Sequence, residues 1–255
     1  TCSDERTVCL QTLNIRGETV ASDRVDKMDV WLPLESNPEV LSNYMVNLGV
    51  SPLWSIVDIY GMDDELLDMV PKPVKSLIFL FPCSKAHEEF RAKQDEELKD
   101  KNVEHPKSLF FTRQFVHNAC GTIAVIHAIL NNPDIEVTEG SVLKKYLDSA
   151  KDLSPVERGE LLNKSEEFKA THEQNAQQGQ TATPNINDTV YHHFIAFVQV
   201  DGTLYELDGR KNFPVAHGPT TPETLLKDSI KVCKQFIELD PSEVRFTLLG
   251  LVPTQ

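Results

Sequence analysis

The sequence has few cysteines and lacks any paired cysteine motif. Its five cysteines are scattered along 255 residues, and no two of them form a CxxC pair. An odd, dispersed set is typical of a reduced intracellular protein and argues against a disulfide framework or a cysteine zinc site. The eight histidines show no HExxH or similar spacing, so we predict neither a metal nor another cofactor.

The sequence also lacks a long apolar run and an excess of basic charge. No segment reaches the about 20 apolar residues that cross a bilayer, and residues 1–27 show no signal-peptide core, which favours a cytoplasmic location. Acidic residues number 39 against 25 basic ones, for a formal charge of −14. This balance argues against nucleic-acid and anionic-membrane partners. It favours a partner with a basic face, unless the charge serves solubility alone.

Helical and strand patterns are mixed without regular alternation, which predicts an α+β fold with helices packed on a mostly antiparallel sheet. Organised sequence begins at Met28, so we predict one domain over residues 28–255 and an extension, 1–27, outside its fold. The predicted helices span residues 38–48, 85–100, 120–130 and 220–238, with another opening at 138–141, and the predicted strands span 75–81, 193–200, 203–208 and 244–252.

One segment interrupts this pattern. Residues 164–189 are polar and contain only Phe168 and Ile186 as large apolar residues. A structureless loop of this length is uncommon inside a compact domain and is usually a lid or a disordered segment. The composition favours neither alternative.

Cys120 stands at the predicted start of a buried helix. Residues 123–130 are apolar on nearly all faces, and Asn131-Asn132-Pro133 ends the run; Asn118 is the predicted N-cap. A thiol in the first turn feels the positive end of the helix dipole, which favours the nucleophilic thiolate. Cys120 is therefore a candidate nucleophile. The alternative is a buried structural cysteine that packs as a small apolar side chain.

A predicted hairpin supplies a partner for this thiol. Asp201-Gly202 lies between two β-rich runs and predicts a two-residue turn. In that register His193 and Asp208 share one face at diagonal positions, while His192 faces the other side. His193 is then a candidate general base and acid, and Asp208 its orienting carboxylate. One inserted residue would reverse the choice of histidine.

Gln114 lies six residues before the candidate nucleophile. Its side-chain amide and the backbone N–H of Cys120 could together form an oxyanion hole. With His193 and Asp208, these groups are the parts of a thiol hydrolase.

The motifs together resemble the ubiquitin carboxyl-terminal hydrolases, a group of papain-like cysteine proteases, and especially their short single-domain isozymes. The resemblance covers about residues 28–252. It rests on Gln114-x5-Cys120-Gly-Thr-Ile-Ala, His193-Phe-Ile, Leu204-Tyr-Glu-Leu-Asp208-Gly, Trp31-Leu-Pro-Leu-Glu-Ser-Asn-Pro-Glu-Val, Asp58-Ile-Tyr-Gly-Met, Leu66-Leu-Asp-Met-Val-Pro and Arg245-Phe. It implies a papain-like core with a knotted backbone, a rare exception to unknotted topology.

The same resemblance implies the catalytic roles. Cys120 would be the nucleophile, His193 the base and acid, Asp208 its orienter and Gln114 the oxyanion donor. It also implies that residues 173–184 form the crossover segment under which a flexible substrate tail threads, which would restrict substrates to small adducts or short peptides.

By resemblance, ubiquitin is the expected partner of a monomeric enzyme, and its arginine-bearing tail would suit the acidic charge of this chain. The expected contact residues are Trp31, Pro33, Leu34, Glu35, Asp58, Ala176, Gly179, Gln180, Thr181, Glu243, Arg245 and Phe246.

Three alternatives stay open at this point. The chain could be a ubiquitin-binding module with little turnover, a hydrolase of a ubiquitin-like modifier, or a general papain-like peptidase. One departure from the resemblance is His192, where related sequences commonly have an apolar residue; it could alter the packing near His193 or shift the pKa of that histidine.

Overall fold

The computed structural model describes residues 30–99, 104–180 and 191–255. The predicted extension, residues 1–27, lies outside these ranges. Within them the chain forms eight helices and six strands. The helices are α1 Pro38–Leu48, α2 Asp64–Asp68, α3 Lys85–Lys99, α4 Cys120–Leu130, α5 Val142–Ala150, α6 Pro155–Asn163, α7 Glu166–Ala176 and α8 Leu225–Leu239. The strands are β1 Trp54–Asp58, β2 Ser76–Pro82, β3 His192–Val200, β4 Thr203–Leu207, β5 Val215–Pro219 and β6 Thr247–Pro253. None of the described helices is long and apolar enough to span a bilayer.

The six strands form one sheet in the order β1-β6-β2-β3-β4-β5, and every neighbouring pair is antiparallel. This confirms the predicted α+β fold. The sequence patterns do not predict the two edge strands. β1 is short and mostly half-buried, and β5 contains Gly218 and Pro219, residue types that are depleted in strands.

Each face of the sheet carries its own core, because successive side chains of a strand point to opposite faces. On one face α4 packs on β3, and the core includes Tyr44, Ile123 and Phe194. On the other face α8 packs on β2, and the core includes Phe79 and Phe236. Every residue of α4 from Cys120 to Ile129 is buried, as its apolar composition predicts. The candidate nucleophile therefore begins a central, fixed helix.

Helix α1 begins and ends at the predicted residues. The Asn37 side chain accepts hydrogen bonds from the backbone N–H groups of Glu39 and Val40, and Pro38 occupies the first turn. Gly49 ends the helix with φ 102°, a left-handed conformation that favours glycine. The Asn37 cap thus fixes the point at which the short segment before α1 joins the helix.

The prediction of a structureless segment over 164–189 is wrong for residues 166–176, which form α7. Ser165 caps the helix by accepting from the N–H of Phe168. Its buried face consists of Phe168, His172, Asn175 and Ala176, so two polar side chains lie in a stripe that is covered by tertiary packing. Apolar periodicity does not detect such a stripe. Residues 181–189 of the predicted lid lie outside the described residues.

Candidate active site

Helix α4 begins at Cys120, but Asn118 is not its N-cap as predicted. Ala119 occupies the cap position and no side chain caps the first turn. Asn118 instead adopts a left-handed φ of 63°, and its Nδ2 donates to the Trp31 carbonyl at 3.1 Å. The first-turn N–H groups of α4 are thus not used by a capping side chain, which leaves the positive end of the helix open beside the thiol.

The hairpin register brings His193 to Asp208, as predicted. Asp201 and Gly202 both have positive φ, 49° and 78°, the requirement of a type I′ turn. Val200 pairs with Thr203. The Nε2 atom of His193 lies 2.6 Å from Oδ1 of Asp208, and both side chains are buried.

The electrostatics of these groups favour an ion pair between thiolate and imidazolium. Burial by itself raises the pKa of the Cys120 thiol, but its hydrogen bond to His193 and the charge of that ring lower the pKa below the ordinary thiol value. Burial by itself lowers the pKa of His193, but the charge and hydrogen bond of Asp208, followed by Cys120, raise it to about 9. The pKa of Asp208 stays well below its usual range, since the opposing charge of His193 outweighs its burial. The groups that shift the pKa of His193 most are Asp208 and Cys120, and His192 is not one of them.

Two hydrogen bonds hold Gln114 so that its side-chain amide lies in the cavity of Cys120 and His193. Its backbone N–H donates to the Gly209 carbonyl at 2.8 Å, and its Nε2 donates to the Val116 carbonyl at 2.9 Å. An amide nitrogen has two hydrogens, so this bond leaves one for a further acceptor. The side chain lines the same cavity as Cys120 and His193.

The cleft has two compartments that meet at the thiol. The apolar compartment, about 460 Å³ in volume, has the segment 33–36 as one wall. The polar compartment, about 400 Å³, is lined by Gln114 and His193 among others. Cys120, Asn118 and His192 line both compartments. A chain that passes over the thiol would therefore run from one compartment into the other.

Most of the predicted contact residues lie at the apolar compartment. Gly179 packs so close to Glu35 that a Cβ there would overlap the carboxylate. Glu243 pairs with Arg245 beside the compartment, Gln180 follows Gly179 at the end of a described range, and Thr181 lies outside those ranges. The predicted residues that line the compartment itself are Pro33, Leu34, Glu35, Ala176, Arg245 and Phe246.

Two predicted contact residues lie elsewhere. Trp31 is 1% exposed, and its ring packs against His172 with 4.7 Å between ring centroids. Trp31 therefore packs inside the core in this structure, and its direct contact with a partner stays a prediction. Asp58 ends β1, where it pairs with Leu249, and it lines neither compartment.

The sequence patterns miss several residues of the polar compartment. Arg210 donates to the Cys83 sulfur at 3.3 Å and pairs with Glu88 at 2.9 Å, and all three line the compartment. Burial raises the pKa of the Cys83 thiol to about 11, so Cys83 is a far poorer nucleophile than Cys120. In the sequence, the position of Arg210 two residues after Asp208 is the feature that could have indicated its place at the site.

Comparisons with known proteins agree with this geometry. Residues 31–238 match the family model described as ubiquitin carboxyl-terminal hydrolase, family 1. A ubiquitin carboxyl-terminal hydrolase of Drosophila melanogaster is 53% identical over 228 residues, which cover 89% of this chain and 100% of that protein. The human ubiquitin carboxyl-terminal hydrolase isozyme L1 is 46% identical over 220 residues, which cover 86% of this chain and 96% of that protein.

A solved structure shares the fold. The Trichinella spiralis UCH37 catalytic domain, crystallised with ubiquitin vinyl methyl ester, superposes with a TM-score of 0.69 at 26% identity. The match covers 88% of this chain and 96% of that one.

Proposed function

The chain belongs to the ubiquitin carboxyl-terminal hydrolases of family 1, and from that membership we propose that Cys120, His193, Asp208 and Gln114 are its catalytic residues. The protein is a cysteine-type hydrolase that removes groups from the carboxyl terminus of ubiquitin. The observation that carries the assignment is the buried 2.6 Å bond between His193 and Asp208, with His193 also hydrogen-bonded to the Cys120 thiol.

The first half of the reaction forms an acyl-enzyme. The Cys120 thiolate attacks the carbonyl carbon of the terminal glycine of ubiquitin. One amide hydrogen of Gln114 and the backbone N–H of Cys120 stabilise the oxyanion. Since Asp208 occupies Nε2 of His193, the proton that the leaving amine receives comes from Nδ1.

The second half releases ubiquitin. Neutral His193 takes a proton from water, the resulting hydroxide attacks the thioester, and Cys120 leaves as a thiolate. Asp208 keeps the ring oriented and stabilises the imidazolium, which is present before the first half and forms again in the second. The ion pair present before the reaction is restored, so no external proton donor is required.

The two compartments suit the two sides of the scissile bond. The apolar compartment would take the extended ubiquitin tail, with Glu35 and the acidic Glu243 near its arginines, and the polar compartment would take the leaving group. Residues 173–184 would cross over the tail, with residues 173–176 in α7 and Gly179 against Glu35. A crossover segment in this position would favour small adducts and short peptides as leaving groups.

We also propose a cellular location and an assembly state for the enzyme. We place the enzyme in the cytoplasm, within the ubiquitin conjugation pathway, as a monomer without nucleic-acid or membrane partners. The free thiols of Cys83, Cys120 and Cys233 suit a reducing compartment, and the charge of −14 disfavours polyanions.

The direct test is turnover of a ubiquitin C-terminal fluorogenic adduct. The wild type should release the fluorophore, and Cys120→Ala should abolish release. Cys233→Ala is the matched control, because that thiol is buried against the opposite face of the sheet. Normal activity of Cys120→Ala would refute the proposal, and tight ubiquitin binding without turnover by the wild type would favour the binding-module alternative. A parallel assay with adducts of ubiquitin-like modifiers reads selectivity.

A further inference from the structure

A buried chain of hydrogen bonds connects four parts of the fold, three of which border the apolar compartment. The Tyr44 hydroxyl lies 2.7 Å from Oγ1 of Thr122, and that atom lies 2.8 Å from Nδ1 of His172. Nε2 of His172 lies 2.5 Å from the Leu32 carbonyl oxygen. The chain thus joins α1, the first turn of α4, α7 and the segment before α1. We refer to it as the His172 relay.

The Leu32 carbonyl determines the direction of every bond in the relay. A carbonyl oxygen only accepts, so Nε2 of His172 carries the hydrogen and Nδ1 is an acceptor. Thr122 therefore donates to Nδ1, and its oxygen accepts from the Tyr44 hydroxyl. Burial lowers the pKa of His172 to about 4, which keeps the ring neutral with a single hydrogen at pH 7. The relay is fully satisfied in one arrangement only.

The relay holds a wall of the apolar compartment against the nucleophile helix. Leu32 precedes the residues 33–36 that form this wall, and Thr122 lies two residues after Cys120. The two parts already touch closely, since a Cβ at Gly121 would lie 3.2 Å from Leu34. The Asn118 side chain also donates to the carbonyl of Trp31, the residue before Leu32.

His172 also connects α7 to this wall. Its ring packs on Trp31 at 4.7 Å, and α7 ends at Ala176, which lines the compartment. All three side chains of the relay are fully buried, so substrate does not reach them. Their effect on substrate is exerted through the wall that they hold.

We propose that His172 is a positioning residue, whose ring fixes the separation of segment 33–36, α7 and the first turn of α4, and so the width of the compartment that receives the ubiquitin tail. This inference rests on the proposed function. It separates two tasks within the molecule, because His193 serves the chemistry while His172 serves binding of the tail.

The test uses variants that cut the relay at different bonds. His172→Phe keeps an aromatic ring against Trp31 but removes both hydrogen bonds, and Thr122→Val removes the bridge with little change of shape. His172→Gln keeps an N–H donor that can reach Leu32. Tyr146→Phe is the matched control, since it removes a buried hydroxyl that bonds to the Arg158 carbonyl at 3.1 Å.

Binding is measured first, by calorimetric titration of ubiquitin in the Cys120→Ala background. Loss of the relay should raise Kd roughly tenfold in His172→Phe and Thr122→Val, the effect of about one buried hydrogen bond. His172→Gln should recover most of the affinity, and Tyr146→Phe should leave Kd unchanged.

Kinetics with the thiol intact then separate positioning from chemistry. KM for the fluorogenic ubiquitin adduct should rise by the same factor, while kcat and the rate of Cys120 alkylation by iodoacetamide stay within about twofold. An unchanged Kd, or a fall in kcat and alkylation rate at constant KM, would overturn the inference. If His172→Phe does not fold, Thr122→Val and His172→Gln decide the outcome. If the wild type showed no turnover, the proposed function alone would be refuted, because the calorimetric titrations would still test the positioning role of the His172 relay.

Discussion

Oδ1 of Asp208 accepts two hydrogen bonds at once, from Nε2 of His193 at 2.6 Å and from the backbone N–H of Arg210 at 2.8 Å. The second bond fixes the carboxylate within its own turn, and the first then fixes the imidazole. The turn after β4 therefore fixes the imidazole from its Nε2 side.

We expect Asp208→Asn to reduce kcat roughly 10²-fold or more, since an amide neither stabilises imidazolium nor selects the same ring tautomer. The pKa of His193 should fall towards its ordinary value, because the carboxylate is the main group that raises it. A pH–rate profile of the variant measures both effects. An unchanged kcat would contradict the role proposed for Asp208.

The activity of the wild type should fall as the pH rises through about 9. The raised pKa of His193 keeps its proton at neutral pH, and the leaving amine loses its proton donor once the ring deprotonates. The lowered pKa of Cys120 places the acid limb below the ordinary thiol range. The dependence of kcat/KM on pH checks both limbs, which belong to the coupled pair. A base limb near pH 6.5 would contradict the prediction.

Gly209→Ala should displace Gln114, the proposed oxyanion donor. A Cβ at this position would lie 2.7 Å from Cγ2 of Ile123 and 3.0 Å from Cβ of Gln114, so either α4 or Gln114 must move. We expect kcat to fall about tenfold and the free energy of unfolding to fall by about 1–3 kcal/mol. Gly250→Ala is the control, since its nearest neighbours would lie at 3.5 Å or more. Equal effects of the two substitutions would contradict this account.

Lys211→Met should destabilise the fold. The Lys211 ammonium is buried and pairs with Glu206 and Gln94. Its removal leaves a buried carboxylate whose remaining side-chain partner, among the residues that the structure describes, is His217 at 2.8 Å. Losing one member of a buried ion pair costs about 3–5 kcal/mol. Urea denaturation measures the loss, and the double variant Lys211→Met, Glu206→Gln should recover part of it. A single variant as stable as the wild type would contradict the prediction.

Deleting residues from the part of the crossover segment between 177 and 184 should change substrate size selection more than chemistry. A shorter crossover segment leaves α7 intact and removes the restriction on the size of the leaving group. Ubiquitin fused to a folded domain should be cleaved faster, while the small fluorogenic adduct is cleaved at a similar rate. If variants with shortened and lengthened crossover segments accepted leaving groups of the same maximum size, the proposed role of this segment would be ruled out.

The sequence predicts the centre of the site well because local rules determine it. The Asp201-Gly202 turn sets the register of β3 and β4, and the register alone selects His193 over His192 as the partner of Asp208. The apolar run after Cys120 likewise predicts a buried helix without tertiary information.

The errors arise where long-range contacts override local preference. Asparagine is a favoured N-cap residue, yet the Asn118 side chain donates its hydrogen bond to the Trp31 carbonyl. The buried face of α7 includes His172, whose partners lie on Leu32 and Thr122, far away in sequence. No periodic pattern of the sequence encodes such partners, so the sequence predicts neither α7 nor the His172 relay.

The division of the hydrophobic interior by the sheet has a consequence for folding. Cys120 belongs to the core on one face, whereas His193 contacts Phe81 of the core on the other. Neither half of the interior therefore contains both of the proposed reacting groups. With these roles, partial unfolding on either side of the sheet should abolish activity, so activity would report the cooperative assembly of the whole domain.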